Sequence, residues 1–291
     1  MINWTEDIIK DLARRRTVIF IGAGISANSF SANGNHPPIW KDFLNKTLEE
    51  IPVGESYDYI EELLEKEDML LACEIIIEHI GEHRFEEIAQ NLFRRPGYIP
   101  SEIHEVIYNL DSRIVISPNV DKIYDQYATT TSKGTVVIKK YNDDDIVRFI
   151  REQDRLILKA HGSIDSPSGM IFSQYQYNKA RYNYDSFYRI MDALALTHTF
   201  IFLGCGINDP DIRLTMENYN FSYFQTKPHY FITSKEGMKK DQIHSLEKNR
   251  NFKVLTYSNP DGSHENLLKS LKELLNLVEG ERANLEISQN W

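Results

Sequence analysis

The sequence lacks three features that would direct the search for a function: an excess of basic residues, long apolar runs, and more than two cysteines. Among 291 residues, 33 Lys and Arg are set against 43 Asp and Glu, which gives a net charge of −10. Because nucleic-acid binding depends on a basic surface that releases counterions, this balance argues against direct nucleic-acid binding. No apolar run approaches the length of a membrane span.

The cysteines and the N-terminal segment indicate where the protein resides. Cys73 and Cys205 lie far apart in the sequence. Residues 1–16 have mixed charge and helical periodicity, and they lack the apolar core of a signal peptide. We therefore expect a cytoplasmic protein with two free thiols.

Short runs rich in Val, Ile and Phe predict the strands of a sheet. Most of these runs are apolar at consecutive positions, which is typical of strands buried on both faces of a parallel sheet. Helical patterns separate them, so the sequence predicts an α/β fold with a doubly wound, Rossmann-like, mostly parallel sheet. The predicted strands are residues 17–21, 113–117, 135–139, 155–160, 199–204, 229–233 and 252–257.

Two other segments depart from this alternating pattern. Residues from about 41 to 110 have apolar spacings of three or four and no good strand candidate, which predicts a helical subdomain inserted into the sheet domain. The segment from about 279 to 291 is polar. We expect it to be a mobile tail or a docking segment.

The first predicted strand runs into a glycine turn, in the stretch TVIFIGAGISANS at residues 17–29. Gly22-Ala23-Gly24-Ile25-Ser26-Ala27 matches the GxGxxG/A pattern that holds a pyrophosphate. A dehydrogenase would continue with a regular helix and a strand ending in an acidic residue about 20 positions on. This chain continues instead with Asn, Ser, Gly and the pair Pro37-Pro38, which cannot extend a helix. We expect a mobile loop over the nucleotide and not a dehydrogenase.

Two further predicted strands end in polar side chains. Asn119 and Asp121 follow the strand that ends at Ser117, and His161 follows the run that ends at residue 160. Because ligands of open α/β sheets bind at the carboxyl ends of the strands, these residues are site candidates, with His161 as a base near neutral pH. Two alternatives stay open: Asn119 or Asp121 caps the next helix, or His161 is a structural histidine.

A third strand end carries glycines, in the stretch FLGCGINDPDI at residues 202–212. Gly204 and Gly206 would let a ligand approach the backbone closely. Asp209 and Pro210 are predicted to be the N-cap and the first residue of the following helix, so Asp209 needs no catalytic role.

The stretch HIGEH, residues 79–83, matches the HxxEH pattern of one class of zinc proteases. Gly81 lies between the two histidines, and no third ligand is identifiable. We therefore interpret the stretch as the exposed polar face of a helix and not as a metal site.

Taken together, these motifs resemble the sirtuin-like family over nearly the whole chain. The segment GMIFSQYQYNKA is also similar to the one that follows the His-Gly motif in bacterial members. The family's GAGxS loop corresponds to Gly22-Ala23-Gly24-Ile25-Ser26, and its Asn-x-Asp motif corresponds to Asn119 and Asp121. Its catalytic His-Gly corresponds to His161-Gly162, and its adenosine loop corresponds to Gly204-Cys205-Gly206.

The resemblance implies a single NAD-binding domain over residues 1–291 and a role for each motif. Asn119 would orient the nicotinamide ribose or the attacking water, Asp121 would contact the carboxamide or stabilise its loop, and His161 would be the base. The dinucleotide would be bound by Gly22, Ala23, Gly24, Ser26, Gly204, Cys205 and Gly206.

The small number of cysteines selects a branch of the family. Sirtuins that deacylate proteins carry a four-cysteine zinc module, which two cysteines cannot build. The helical insert takes its place and resembles the insert of prokaryotic antiviral sirtuin-like proteins that hydrolyse NAD+. The resemblance therefore implies an NAD+ glycohydrolase of an anti-phage, abortive-infection system, with NAD+ as the substrate and no metal.

The same resemblance implies partners. We expect a homo-oligomer and, because 291 residues leave little room for a separate sensor domain, a partner protein. A HerA-type ATPase is the first candidate, and an Argonaute-type protein or a phage trigger comes next. Two other functions stay open: an NAD-dependent protein deacylase, and a non-catalytic NAD- or ADP-ribose-binding subunit of a defence complex.

Overall fold

The runs predicted as strands form strands in the computed structural model, which describes residues 1–206, 209, 212, 216 and 226–288. Their bounds are β1 (Thr17–Ile21), β2 (Ile114–Ser117), β3 (Val137–Lys140), β4 (Leu156–Lys159), β5 (Thr199–Leu203), β6 (His229–Ser234) and β7 (Phe252–Tyr257). Neighbouring strands pair in parallel, in the order β3-β4-β2-β1-β5-β6-β7. The prediction of a doubly wound, Rossmann-like sheet is confirmed.

Within the described residues, helices occupy most of the chain between the strands. A parallel sheet requires such crossovers, because consecutive strands cannot be joined by tight turns. The helices are α1 (Glu6–Ala13), α2 (Ala23–Ser26), α3 (Trp40–Leu48), α4 (Glu55–Glu65), α5 (Met69–Ile80), α6 (Glu82–Ala89), α7 (Glu102–Asn109), α8 (Ile123–Thr131), α9 (Ile146–Arg151), α10 (Gln174–Asn183), α11 (Asp185–Thr197), α12 (Lys240–Arg250) and α13 (Glu265–Ser288).

The side chains of β1 alternate between two cores, because successive residues of a strand point to opposite faces of a sheet. Ile19 and Ile21 are buried among residues of α1, α7, α8 and α13. Val18 and Phe20 are buried among residues of α9, α10, α11 and α12. A sheet covered on both faces explains why this strand is apolar at consecutive positions.

Helices α3 to α6 pack around a core of their own. The ring of Phe43 lies 5.2 Å, centroid to centroid, from the rings of Phe85 and Phe172. Phe172 follows β4 in the chain, so this aromatic cluster joins the inserted helices to the carboxyl edge of the sheet. Helix α7 instead contributes Ile103 and Ile107 to the core that α1 and α13 share with the sheet.

The C-terminal segment, predicted as a polar tail, is helical as far as Ser288, and Leu285 is buried. Arg282 donates hydrogen bonds from Nη2 to the carbonyls of Leu110, at 2.8 Å, and Leu12, at 3.4 Å. These carbonyls lie at the ends of α7 and α1, where backbone acceptors have no partner within the helix. The segment therefore docks on its own chain through Arg282 and Leu285.

His229, at the start of β6, makes the stability of the fold depend on pH. Its Nδ1 accepts a hydrogen bond from the Phe200 backbone N–H at 3.1 Å, and burial lowers its pKa from 6.5 to about 4. The unfolded chain therefore takes up a proton more readily than the folded chain. It follows that the neutral histidine does not lower the free energy of unfolding above pH 6.5, and that this free energy declines as the pH falls from 6.5 toward 4.

We expect this histidine to cost the protein about 2 kcal/mol of unfolding free energy between roughly pH 7 and pH 5. The variant His229→Gln keeps an acceptor for the Phe200 N–H but does not titrate. It should lose less stability over the same interval, as measured by urea unfolding at both pH values. Equal losses in the two proteins would contradict the prediction.

Candidate active site

The pairing register brings the predicted polar site residues to one edge of the sheet. Ser117 of β2 pairs with Lys159 of β4. Asn119 and His161 therefore each lie two residues beyond the same rung of neighbouring parallel strands, which run about 4.8 Å apart. Between β1 and β5 the strand order reverses, and open α/β sheets bind ligands at such a point.

The two glycine turns, which follow β1 and β5, contact each other through their backbones. The N–H of Gly22 donates to the carbonyl of Leu203, and the N–H of Gly24 donates to the carbonyl of Gly204, both at 2.9 Å. A Cβ on Gly22 would lie 2.4 Å from the carbonyl oxygen of Gly204, and a Cβ on Gly204 would lie 2.6 Å from the Ile25 nitrogen. The glycines are therefore required by the contact between the turns, in addition to any contact with a ligand.

The segment after the first turn contains only a single helical turn, α2, and no long helix follows it. Residues 27–39 instead form the loop expected from the sequence, which is attached to the segment before α7. The Ile99 N–H donates to the Phe30 carbonyl at 2.9 Å, and the Tyr98 hydroxyl, which donates to the Leu92 carbonyl at 2.9 Å, lies 3.3 Å from the His36 carbonyl. These contacts anchor the loop at two points.

Asn119 is held from the first turn by Ser26. The Asn119 Nδ2 donates to the Ser26 Oγ at 3.1 Å. Asn119 lines the cavity at this edge, whereas Ser26 is only 4% exposed. Ser26 therefore orients the amide of Asn119 and links the segment after β1 to the segment after β2.

Asp121 combines a structural contact with a place at the cavity. Its Oδ1 accepts a hydrogen bond from the Ile123 N–H at 3.0 Å, at the start of α8. Its carbonyl accepts a second bond from the Lys159 Nζ at 2.6 Å. The side chain of Asp121 therefore closes a turn just before α8, whose N-cap is Lys122, and Asp121 also lines the cavity.

His161 lies two residues beyond the end of β4, with 9% of its surface exposed, and lines the same cavity. Its ring packs edge-on against the ring of Tyr177, with centroids 6.1 Å apart. Gly162 then turns the chain with a φ of 78°. A Cβ at Gly162 would lie 2.3 Å from the Gly169 carbonyl oxygen, so the turn that presents His161 requires glycine.

The cavity has a volume of about 1930 Å³ and extends along the carboxyl edge of the sheet. Part of its lining lies at the carboxyl ends of β6 and β7 and just beyond them, and includes Ser234, Tyr257 and His264. Of the sequence-predicted residues, all but Ser26 line it: Gly22, Ala23, Gly24, Asn119, Asp121, His161, Gly204, Cys205 and Gly206.

The second glycine turn carries a thiol that is unsuited to nucleophilic chemistry. The Cys205 Sγ lies 3.4 Å from the Leu203 carbonyl oxygen, and burial raises the pKa of the thiol. Since the thiolate is the reactive form, this cysteine stays inert near neutral pH.

Further on, the Asp209 Oδ1 accepts a hydrogen bond from the Ile212 N–H at 3.3 Å, as expected of an N-cap. Pro210 lies outside the described residues.

Sequence reasoning missed a buried ion pair at the ends of these strands. The Lys159 Nζ lies 3.2 Å from the Asp125 Oδ2, and the two side chains are 2% and 4% exposed. Burial raises the pKa of Asp125, and the Lys159 ammonium opposes that rise. The sequence signal that could have indicated this ion pair is the lysine near the end of the apolar run RLILKA.

A second pair that sequence reasoning missed lies at the far end of the cavity. The Tyr257 hydroxyl and the His264 Nδ1 are 2.6 Å apart. Burial raises the pKa of Tyr257 to about 12, and the charge of Glu236 adds to the rise. The hydroxyl therefore keeps its proton near neutral pH.

The stretch HIGEH lies on two helices. Gly81, with a φ of 81°, separates α5 from α6, so the exposed His79 and His83 lie on different helices. Within the residues that the structure describes, no group of three or more His, Cys, Asp and Glu side chains could hold a metal ion. In the same part of the chain, no helix is both long and apolar enough for a membrane span.

Fold and site together define an α/β protein with the layout typical of dinucleotide-binding sheets: glycine turns meet where the strand order reverses, and polar side chains follow the neighbouring strands. Comparison with family models makes the class more specific. The model of the SIR2-like domain matches residues 113–255, which include Asn119, His161 and the second glycine turn. Residues 113–255 are therefore similar to a SIR2-like domain, in agreement with the sirtuin-like resemblance of the motifs.

Curated relatives give the next level of detail. The chain is 22% identical over 254 residues to NAD(+) hydrolase ThsA of Cytobacillus dafuensis, covering 87% of this chain and 47% of that protein. It is 23% identical to NAD(+) hydrolase ThsA of Acinetobacter baumannii, covering 79% and 45%. It is 23% identical to Defense-associated sirtuin 2 of Bacillus subtilis, covering 74% and 20%. The chain spans about half the length of these ThsA proteins.

Proposed function

We propose that this protein is an NAD+ glycohydrolase that cleaves NAD+ to nicotinamide and ADP-ribose in a bacterial anti-phage system that acts by abortive infection. The observation that carries the proposal is the register of β2 and β4: Asn119 and His161 each follow a paired rung by two residues, and both line the cavity of the glycine turns. The relatives named NAD(+) hydrolase and Defense-associated sirtuin support the activity and its setting.

The cavity suits a dinucleotide because it extends to both sides of the point where the strand order reverses. The backbone of the first glycine turn borders it without bulky side chains, so a pyrophosphate can approach closely. The nicotinamide half would lie beside Asn119, Asp121 and His161. The adenosine half would lie toward the second glycine turn and Tyr257.

Cleavage of the bond between nicotinamide and ribose leaves positive charge on the ribose, and a water oxygen then bonds to the ribose carbon. His161 would take the proton from that water, directly or through the ribose 2′-hydroxyl, and Asn119 would orient the ribose or the water. Nicotinamide leaves as a neutral molecule, so each turnover releases ADP-ribose and one proton. A positioned general base contributes about 10²–10⁴ in rate.

Asp121 supports this arrangement through its loop. Because its carboxylate already accepts the Ile123 N–H, it holds the segment that carries Asn119 against the start of α8. In the proposed complex it would also contact the nicotinamide carboxamide from its place in the cavity.

Product analysis by mass spectrometry tests the proposal. The purified full chain is incubated with NAD+, with and without an acetylated peptide. We expect nicotinamide and ADP-ribose in equal amounts, whether or not the peptide is present. Acetyl-ADP-ribose formed only with the peptide would identify a deacylase, and NAD+ that binds but stays intact would identify a non-catalytic subunit. Either result would contradict the proposal.

We also propose that the protein works as a homo-oligomer with a protein partner, with a HerA-type ATPase as the first candidate. The support is the motif resemblance and the helical insert, whose α3 to α6 form a separate core beside the site. The native mass of the purified chain tests the first part, and co-purification with the tagged ATPase tests the second. A monomer, or an ATPase that does not co-purify, would contradict the corresponding part.

A further inference from the structure

Lys159 is a charged residue that the proposed chemistry does not use. It ends β4, its side chain is 2% exposed, and its neighbours in the chain, Leu158 and Ala160, belong to an apolar core. Its Nζ donates to the Asp121 carbonyl at 2.6 Å and lies 3.2 Å from the Asp125 carboxylate. The ammonium thus joins three elements: the end of β4, the segment after β2, and helix α8.

Stability alone does not account for a lysine at this position. A buried ion pair loses so much hydration that well-packed apolar residues often stabilise a protein equally well or better. What an apolar residue cannot supply is the bond to the Asp121 carbonyl. That bond connects the segment that carries Asn119 to the end of β4, which His161 follows. Asn119 lies two residues before Asp121, and His161 lies two residues after Lys159.

We propose that Lys159 is a positioning residue for NAD+ cleavage: its bond to the Asp121 carbonyl fixes Asn119 relative to His161. The inference rests on the proposed function. Other contacts join the same segments: the Ala160 N–H donates to the Ser117 carbonyl and the Ile164 N–H donates to the Val120 carbonyl, both at 2.9 Å, and Lys122 pairs with Asp165. Of these contacts, the bond from Lys159 is the one that a buried, charged side chain supplies where both segments begin.

The variant Lys159→Met tests the proposal through the split between kcat and KM. Lys159 is buried away from the cavity, so KM for NAD+ should stay within a few-fold of the wild type. A misplacement of about 1 Å between reacting groups lowers a rate by about 100-fold, and we expect kcat to fall by about that factor. The matched control is Lys122→Met, which removes the half-exposed ion pair with Asp165 between the same segments and should leave kcat within about two-fold.

The double variant Lys159→Met/Asp125→Leu distinguishes a positioning role of Lys159 from a purely structural one. The single variant leaves the Asp125 carboxylate buried without its cation, so its Tm should fall. The double variant removes that carboxylate, and its Tm should rise again toward the wild type. On our account kcat stays low, because the bond to Asp121 is still absent. If kcat recovers together with Tm, the proposal is wrong.

Hydrogen exchange gives a readout that does not depend on catalysis. In Lys159→Met the amide of Ile164, which bonds the Val120 carbonyl, should exchange faster than in the wild type and in Lys122→Met. Unchanged exchange would overturn the proposal even if kcat fell. If the wild type does not cleave NAD+, the proposed function fails, and the exchange of Ile164 still decides whether Lys159 joins the two segments.

Discussion

Replacing His161 with alanine is expected to lower NAD+ cleavage by about 10²–10⁴-fold while NAD+ still binds. The side chain lines the cavity beyond β4, and its ring packs against Tyr177. The glycine turns follow β1 and β5, so the variant removes the base without altering the backbone that receives the pyrophosphate. The measurements are the steady-state release of nicotinamide and the Kd for NAD+ by calorimetry.

A matched histidine gives the control for this variant. His79 is exposed on α5, outside the cavity lining, and His79→Ala should cleave NAD+ at the wild-type rate. Asn119→Ala should reduce the rate as His161→Ala does, because it removes the group that orients the ribose or the water. A His161→Ala protein that turns over NAD+ at the rate of His79→Ala would refute the assignment of the base.

Replacing Gly204 with alanine is expected to destabilise the protein by about 2–5 kcal/mol and to abolish NAD+ binding. Gly204 has a φ of 63°, where a Cβ is strained, and that Cβ would lie 2.6 Å from the backbone nitrogen of Ile25. Because the neighbouring atom belongs to the backbone, relief would require the two turns to move apart. Urea unfolding measures the first effect and NAD+ titration measures the second.

The same turn provides the control. Among the described residues, no atom would lie within 4 Å of a Cβ on Gly206, whose φ is also outside the left-handed region. Gly206→Ala should therefore change the unfolding free energy by less than about 0.5 kcal/mol. A Gly204→Ala protein as stable as Gly206→Ala would show that the turns do not need their close contact.

The strands and the edge of the site could be predicted from the sequence because their signals are local. Runs such as TVIFI are apolar at consecutive positions because both faces of β1 are buried. A strand ends where the run ends, so the positions of Asn119 and His161 follow from the parallel arrangement. Their equal distance of two residues beyond one rung depends on the pairing of Ser117 with Lys159, which only the structure supplies.

The contacts between distant segments could not be predicted. The pattern of Gly22 and Gly24 is consistent with a phosphate-binding turn. The atoms that leave no room for a Cβ at these positions nevertheless belong mainly to Gly204, which lies far along the chain. Lys159 and Asp125 are two unremarkable charges in the sequence, and their pairing depends on how α8 packs against the end of β4. Ser26 likewise has the right position for a ligand contact, but its hydroxyl meets Asn119.

The most direct test of the central claim is to follow NAD+ cleavage by the full chain in water labelled with heavy oxygen. We predict one labelled oxygen in ADP-ribose, none in nicotinamide, and loss of both products in Asn119→Ala and His161→Ala. Labelled AMP would place the reaction at the pyrophosphate. That result, or equal nicotinamide release by the wild type and both variants, would contradict the account.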